Sequence, residues 1–443
     1  MLMNTMTKHR LRIRRLLAPA LMCLAGIIAA GGANCIPPIG VPPGTLSIYN
    51  NTTDPTNKNA NFAGSAACST CHSDYAALHA VTGHAHALTR VQGAAPSFPL
   101  AGAFAGVPNP PDGFAWTDIS YLLGGYTKSA LFFGTDGNYL TTGLTGTNTQ
   151  WGLALPHLGH AAQFFSYLPD AVAPVPFDFD TLRAYVTGAV AQDPANPMFQ
   201  ESRPGFLGTW NEAGVQCEAC HGPGSNHIPS FFRRDLFVDV SNQQTCKTCH
   251  SRPAGTDSLD ILASGGFIRP QSQWQELAAS GAHASFACTF CHDPHRSITY
   301  DRAAAIRNEC VACHTDMNMA LHEGKVFTRP SDGYTETLTC MSCHMPFAVT
   351  TGPFAAATAV GPLARVGDTR SHIFRITTDS VDFSGFLTPD GSKVKLDASG
   401  RAALSVDYVC LRCHNSLALP TLSFSVDRAS EIAIGVHREF DTP

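Results

Sequence analysis

Fourteen of the sixteen cysteines fall into seven copies of Cys-x-x-Cys-His: Cys68/Cys71/His72, Cys217/Cys220/His221, Cys246/Cys249/His250, Cys288/Cys291/His292, Cys310/Cys313/His314, Cys340/Cys343/His344 and Cys410/Cys413/His414. On a helical turn, side chains at i, i+3 and i+4 leave one face, so two sulfurs and one imidazole converge on a single partner. Two thioether bonds to porphyrin vinyl groups and one imidazole bond to the iron use this set, and the string is the signature of c-type haem attachment. The chain's own residue frequencies would produce it about 0.02 times by chance. Structural zinc needs Cys-x-x-Cys pairs converging on one metal. A redox disulfide of the thioredoxin kind has no use for a histidine after the second cysteine. The expected cofactor is seven haem c, with iron bound by the seven motif histidines.

Iron has a second axial position. Seven of the 19 histidines are proximal and His9 lies in the basic N-terminal stretch, which leaves His79, His84, His86, His157, His160, His227, His283, His295, His322, His372 and His437. Several sit beside a motif: His295 three residues after His292, His227 six after His221, His322 eight after His314, His283 five before Cys288. The porphyrin plane separates a proximal ligand from its own distal side, so these histidines are expected to reach another haem. Three residues span at most roughly 10 Å, so the haems bound through His292 and His295 are expected close together, the geometry electron hopping needs. Methionine is the other common axial ligand. Met198, Met317, Met319, Met341 and Met345 are read instead as packing residues, and low-potential bis-His haems are expected.

The elements that must position these residues are unusual in composition. Only 14% of residues are charged, against about 25% in an average soluble domain, and 38 Gly with 30 Pro break helices and strands throughout. Residues 1–33 read as an export signal: Lys8, Arg10, Arg12, Arg14 and Arg15, an apolar run from Leu16 to Ala30, then Gly31-Gly32-Ala33. The apolar run is shorter than the roughly 20 residues that span a bilayer. Cleavage near Ala33 or lipidation at Cys35 is expected, and membrane attachment only through lipidation. Without residues 1–33 the chain has 24 basic and 34 acidic residues, a formal charge of −10, which argues against nucleic acid as a partner.

Residues 34–67, rich in Asn, Thr and Pro, read as an extended leader. Residues 68–216 form an N-terminal region with one haem. There the segment from Ile119 to Phe133, followed by Gly137-Asn-Tyr-Leu-Thr-Thr, alternates apolar and turn residues and predicts a small hairpin or sheet. Residues 217–344 form a dense region with five haems, and 345–443 a C-terminal region with one. In that last region strand-like pieces lie at Phe374-Arg-Ile and Lys393-Val-Lys-Leu, with an Asp390-Gly turn between them. Asp427 is expected to cap a short helix carrying His437. About 59 residues per motif remain after the signal, fewer than a domain needs for its own core. The fold class expected is a multihaem cytochrome c, mostly irregular with short α-helices and a few short strands around a chain of seven haems.

The chain resembles the multihaem c-type cytochromes of anaerobic respiratory bacteria. The resemblance rests on Cys217-Glu-Ala-Cys-His-Gly-Pro-Gly-Ser-Asn-His227, Cys288-Thr-Phe-Cys-His-Asp-Pro-His295, Cys340-Met-Ser-Cys-His-Met-Pro and Ser371-His-Ile-Phe-Arg-Ile. It implies distal roles for His227, His295 and His372. Tyr75 with Thr82-Gly-His84 and the terminal Ala433 to His437 are similar to further ligand strings and add His84 and His437; proximity to a motif adds His283 and His322. The segment Thr181-Leu-Arg-Ala184-Tyr185-Val-Thr-Gly188 matches a stretch that carries another haem in similar proteins. It has no cysteine here, so a lost eighth site is expected near Tyr185, with His157 or His160 left without that role.

Three functions follow as expectations. The first is electron transfer as a periplasmic, outer-membrane-surface or extracellular conduit to redox partner cytochromes or an extracellular electron acceptor; some similar proteins form filaments, so a homo-oligomer or filament is a further expectation. The second is a multihaem reductase for nitrite, hydroxylamine or a sulfur oxyanion, which needs one open haem. The third is a passive electron store.

Overall fold

The structure, a computed structural model, describes residues 53–54, 60–99, 106–127, 129–229, 243–253, 257–317, 319, 322–352 and 360–437. The expected export signal and Cys35 lie outside the described residues. Within 34–67, where the sequence suggests an extended leader, Thr53–Asp54 pairs antiparallel with Ala60–Asn61 and a helix begins at Ser65.

The long stretch without a motif forms the one large sheet among the described residues. Its strands are β1 (Leu88–Arg90), β2 (Ile119–Gly124), β3 (Ala130–Gly134), β4 (Asn138–Tyr139), β5 (Gln150–Gly152), β6 (Gln163–Phe165) and β7 (Val175–Pro176). They pair antiparallel in the order β1-β2-β3-β4-β7, with β5 bridging β3 and β6. Alternation along β2 sends Tyr121 and Leu123 into a cluster with Phe133, Tyr139, Phe177, Phe206 and Trp210. Leu122 goes into the opposite cluster with Val91, Val107, Ala130 and Phe132. A bulge between Ile119 and Tyr121 breaks this parity and lets Ile119 join Leu122. Both faces are therefore buried, and β2 and β3 are almost entirely apolar. At the β2–β3 turn Gly124 takes φ +81°, and a Cβ there would collide with the Ser129 carbonyl oxygen. Only glycine fits.

A second core lies in the C-terminal half, around Ile261, Phe267, Ile268, Val349, Ile373, Phe386, Leu404 and Tyr408. The strand-like pieces expected there do not form strands. Ile376 makes one parallel bridge to Leu404, Lys393 one antiparallel bridge to Leu262, and Val394 one to Leu387. Each piece has only two apolar residues, too few to hold a ladder once its core contact is made. The Asp390-Gly391 turn does form, with Gly391 N–H donating to the Thr388 carbonyl at 2.8 Å. The terminal helix spans Val426–Ala433, but its cap is Ser425, whose hydroxyl accepts from Arg428 N–H at 3.2 Å. Asp427 sits two residues further in and accepts from the Ser380 hydroxyl. His437 follows the helix in a turn. Among the described residues no helix is long and apolar enough to cross a membrane.

Candidate haem-binding sites

Each motif lies on or at the end of one helical turn: Ser65–Ser69, Cys217–His221, Gln244–His250, Cys288–Cys291, the 3₁₀ turn Cys310–Ala312, Cys340–His344, and Val406–Val409 leading into Cys410. These turns are short because Gly, Pro or an extended residue follows, as where Gly222 takes φ +76° after His221. The fourteen cysteines form no disulfide. No group of three or more His, Cys, Asp or Glu gathers as a metal cluster among the described residues.

The first motif departs from the expectation of one shared helical face. Its helix ends at Ser69, so Cys71 lies past it, exposed, in the turn that leads to the next helix, Ser73–His79. The Ser69 and Thr70 hydroxyls both donate to the Ala66 carbonyl, at 2.9 and 3.3 Å, and such side-chain bonds compete with the helical ladder. The turn is held instead on Cys68, whose carbonyl accepts from Cys71 N–H at 3.2 Å and His72 N–H at 2.9 Å. Cys71 therefore keeps its place one turn after Cys68 without a helix around it. Cys220 and Cys313, the second cysteines of two other motifs, are exposed as well.

Each motif histidine faces a second histidine from elsewhere in the chain. The ring centroids are 6.4 Å apart for His72 and His227, 6.2 Å for His221 and His295, and 6.0 Å for His84 and His250. They are 6.2 Å apart for His292 and His372, 5.8 Å for His283 and His314, 5.7 Å for His344 and His437, and 6.0 Å for His322 and His414. Two metal–nitrogen bonds of about 2 Å each, added to the distance from nitrogen to ring centre, give a separation of this size. A six-coordinate iron between the rings fits. The histidines that follow or precede a motif all face the histidine of a different motif, as the porphyrin plane requires.

Hydrogen bonds keep the metal-binding nitrogen clear. His344 Nδ1 donates to the Phe374 carbonyl at 2.7 Å, His414 Nδ1 to the Leu422 carbonyl at 3.0 Å and His250 Nδ1 to Gln273 Oε1 at 3.3 Å, and His295 Nδ1 lies 3.3 Å from Asp293 Oδ1. Such partners fix the tautomer and ring orientation of a ligating imidazole. Two of the remaining histidines do the reverse: His86 Nε2 is taken by the Ala80 carbonyl at 2.8 Å and His157 Nε2 by the Gly367 carbonyl at 3.1 Å. His79 is tied to the Val215 backbone, and His160 pairs its backbone with Leu155. Burial pulls His250, His292, His344 and His414 below the usual imidazole range, and His372 down to about 3, so they are neutral at pH 7, the form that binds a metal.

Apolar side chains of the kind a porphyrin covers stand exposed at the motifs: Tyr75, Phe290, Val311, Met317, Leu417 and Leu422. Of the other methionines, Met198 is exposed and the Met341 sulfur accepts from Arg302 at 2.8 Å. Sequence reading missed the fixed charges at the sites. Glu218, Lys247 and Arg412 occupy variable positions inside motifs and are all buried, a signal that was available in the strings. Glu276, fully buried, accepts from His372 N–H at 2.7 Å and from the Ser371 hydroxyl at 2.8 Å, and burial pushes its carboxyl up to about 7.

The motifs also approach one another. The thiols of Cys68 and Cys217 are within hydrogen-bonding reach, as are those of Cys246 and Cys288. Cys220 acts electrostatically with Cys246 and Cys249, Cys291 with Cys313, Cys310 with Cys340, and Cys410 with Cys343. Neighbouring motifs thus lie close together from first to seventh. Tyr185 stands beside the third, with its hydroxyl accepting from Gln271 at 2.9 Å and its ring close enough to Cys249 for an electrostatic interaction. His157 and His160 are elsewhere, His157 stacked on Phe347 at 4.0 Å.

The comparisons agree with this chemistry. A family model described as cytochrome c3 matches residues 280–351. The dissimilatory sulfite reductase MccA of Wolinella succinogenes is 24% identical over 207 residues, covering 38% of this chain and 27% of the relative. The multiheme cytochrome MtrA of Shewanella baltica is 24% identical over 151 residues, covering 30% and 36%. The chain thus spans about a quarter to a third of the length of these curated relatives. Among solved structures, the octaheme sulfite reductase MccA aligns with TM-score 0.50 and 17% identity over 84% of this chain and 71% of that one. The outer cell wall cytochrome OcwA aligns with TM-score 0.46 and 17% identity over 84% and 86%. The repeated attachment strings, the cytochrome c3 match and the partial similarity to MccA and MtrA together support a multihaem c-type cytochrome.

Proposed function

We propose that the chain is an electron-transfer protein carrying seven haem c, each closed by two histidines, that works as a periplasmic or extracellular conduit toward partner cytochromes or an external acceptor. The observation that carries this reading is the pairing of all seven motif histidines with a second histidine at 5.7–6.4 Å. When bound, the haem supplies reversible one-electron chemistry at iron. The chain's own residues attach it through Cys, and hold His250, His344 and His414 in place through their Nδ1 partners and neutral through burial. All seven pairs lie within one chain, so self-association into a filament would rest on surface contacts and not on a donated ligand.

A sulfite reductase reading is favoured by the similarity to MccA and needs one iron with an open position. No motif histidine here lacks a facing histidine. Electron paramagnetic resonance and visible spectra of the purified, haem-loaded protein separate the two, with haem content taken from the pyridine haemochrome. We expect seven haems, all low-spin, and no spectral change with sulfite, nitrite or hydroxylamine. A high-spin ferric component that responds to one of these anions would install the reductase reading instead.

A further inference from the structure

The buried charges are segregated along the series of sites. At the first two, Glu218 is 3% exposed and accepts from the N–H groups of Ala63 at 2.8 Å, Gly64 at 2.8 Å and Gly224 at 2.7 Å. Glu212 accepts from the Ser65 N–H at 3.0 Å and hydroxyl at 2.9 Å. Both carboxylates act on Cys68, and Glu212 on Cys217. Among the described residues neither has a cationic partner.

At the sixth and seventh sites the sign reverses. Arg412 donates to Glu336 at 2.6 and 3.1 Å, and Arg370 to the same carboxylate at 3.3 Å. The side chains of Arg412 and Glu336 are 6% and 7% exposed. Two guanidiniums on one carboxylate leave this cluster net positive, with Arg412 buried and the Arg370 side chain 27% exposed, and both Arg412 and Glu336 act on Cys343 and Cys413. Between these ends the charges are mostly paired, Lys247 with Asp257 and Asp293 with Arg296 and Arg307. Glu276 lies mid-series and leaves the contrast between the ends intact.

We propose that this segregation makes the first two sites the low-potential end of the chain and the sixth and seventh the high-potential end, so that electrons run from the N-terminal sites to the C-terminal ones. This rests on the conduit reading above. Reduction adds negative charge at iron; a buried carboxylate nearby opposes it, a guanidinium favours it, and burial keeps both interactions from being screened. Glu218 and the arginine cluster are positioning residues, acting on the sites without touching iron.

Spectroelectrochemical titration of the full-length, haem-loaded protein tests the proposal with Glu218→Gln, Arg370→Gln and Glu336→Gln. Glu218→Gln should raise the lowest-potential component and leave the highest in place. Arg370→Gln should lower the highest-potential component, and Glu336→Gln should raise it. The last two variants break the same contact, so a merely structural effect would move both in one direction, whereas a charge effect moves them oppositely. Shifts of equal sign in that pair, a Glu218→Gln shift at the high-potential end, or no shift in any variant would overturn the polarity. A high-spin component in the unaltered protein would sink the conduit reading instead, while the three shifts remained readable.

Discussion

His344 and His437 face one another Nε2 to Nε2 at 3.5 Å across 93 residues of chain, with their rings 12° from parallel. The partner arrives on the last described turn, after the Val426–Ala433 helix, and is exposed. His437→Ala should convert one haem of seven to high-spin while haem content is unchanged, because Cys340, Cys343 and His344 remain. Stability should move by less than about 0.5 kcal/mol, as for other surface substitutions. Magnetic resonance with thermal melting checks both.

Ligand planes differ among the pairs: 12–18° at the first, second and sixth motifs, but 74° and 89° at the third and seventh. Parallel imidazoles split the iron d orbitals more than perpendicular ones. The low-spin ferric signals should therefore fall into rhombic and near-axial classes, and a single uniform signal would contradict these ring orientations.

Glu336 ties pH to stability. Burial alone would push its carboxyl up, but hydrogen bonds and charge from Arg412, with help from Ser342 and Arg370, bring it down to about 2 from an ordinary 4.5. A depressed folded-state value means stability that is present above the ordinary value and lost as pH falls toward the folded one. Unfolding midpoints should therefore drop between pH 4.5 and 2, and Glu336→Gln should flatten that drop. The same substitution should cost about 3 kcal/mol at neutral pH, since it leaves buried guanidinium charge unpaired.

His157→Gln is the control for the ligand assignments. The ring stacks on Phe347 at 4.0 Å and its Nε2 bonds the Gly367 carbonyl. All haems should stay low-spin, with a loss of about 1 kcal/mol for the altered hydrogen bond. A new high-spin signal would make His157 a ligand.

Phe133→Ala tests the sheet independently of the haems. Phe133 is fully buried and packs on Tyr139, Phe177 and Phe206 at 4.4, 4.8 and 5.4 Å between centroids. Truncation should destabilise by about 3–5 kcal/mol, while the haem spectrum of the folded protein is unaltered.

Local chemistry was legible in the residues. The alternation around Ile119–Phe133 and the Gly124-Gly125 turn foretold the hairpin because strand and turn preferences act between near neighbours. The pieces at 374–376 and 393–396 carried a similar pattern but met loops instead of strands, and they ended as single bridges. Asp427 had the right residue type for a cap; Ser425 took the position because its own backbone, φ −77° and ψ 169°, was the last outside the helix. At the first motif the spacing was right and the helix was not: Ser69 and Thr70 turn their hydroxyls back on Ala66, and Cys71 sits in a turn.

The sequence by itself determined which side chains could attach haem, since a spacing of three and four residues keeps two cysteines and a histidine within about one turn of each other. Only the tertiary structure decided which histidine meets which: His227 with His72, His295 with His221, His372 with His292. The cost of closing a loop grows only slowly with its length, so separation along the chain says little about the partner. The same holds for Glu336, Arg370 and Arg412, remote in sequence and unremarkable one by one, whose meeting between the last two sites depends on the packing of one short strand, Thr335–Thr337, against two loops.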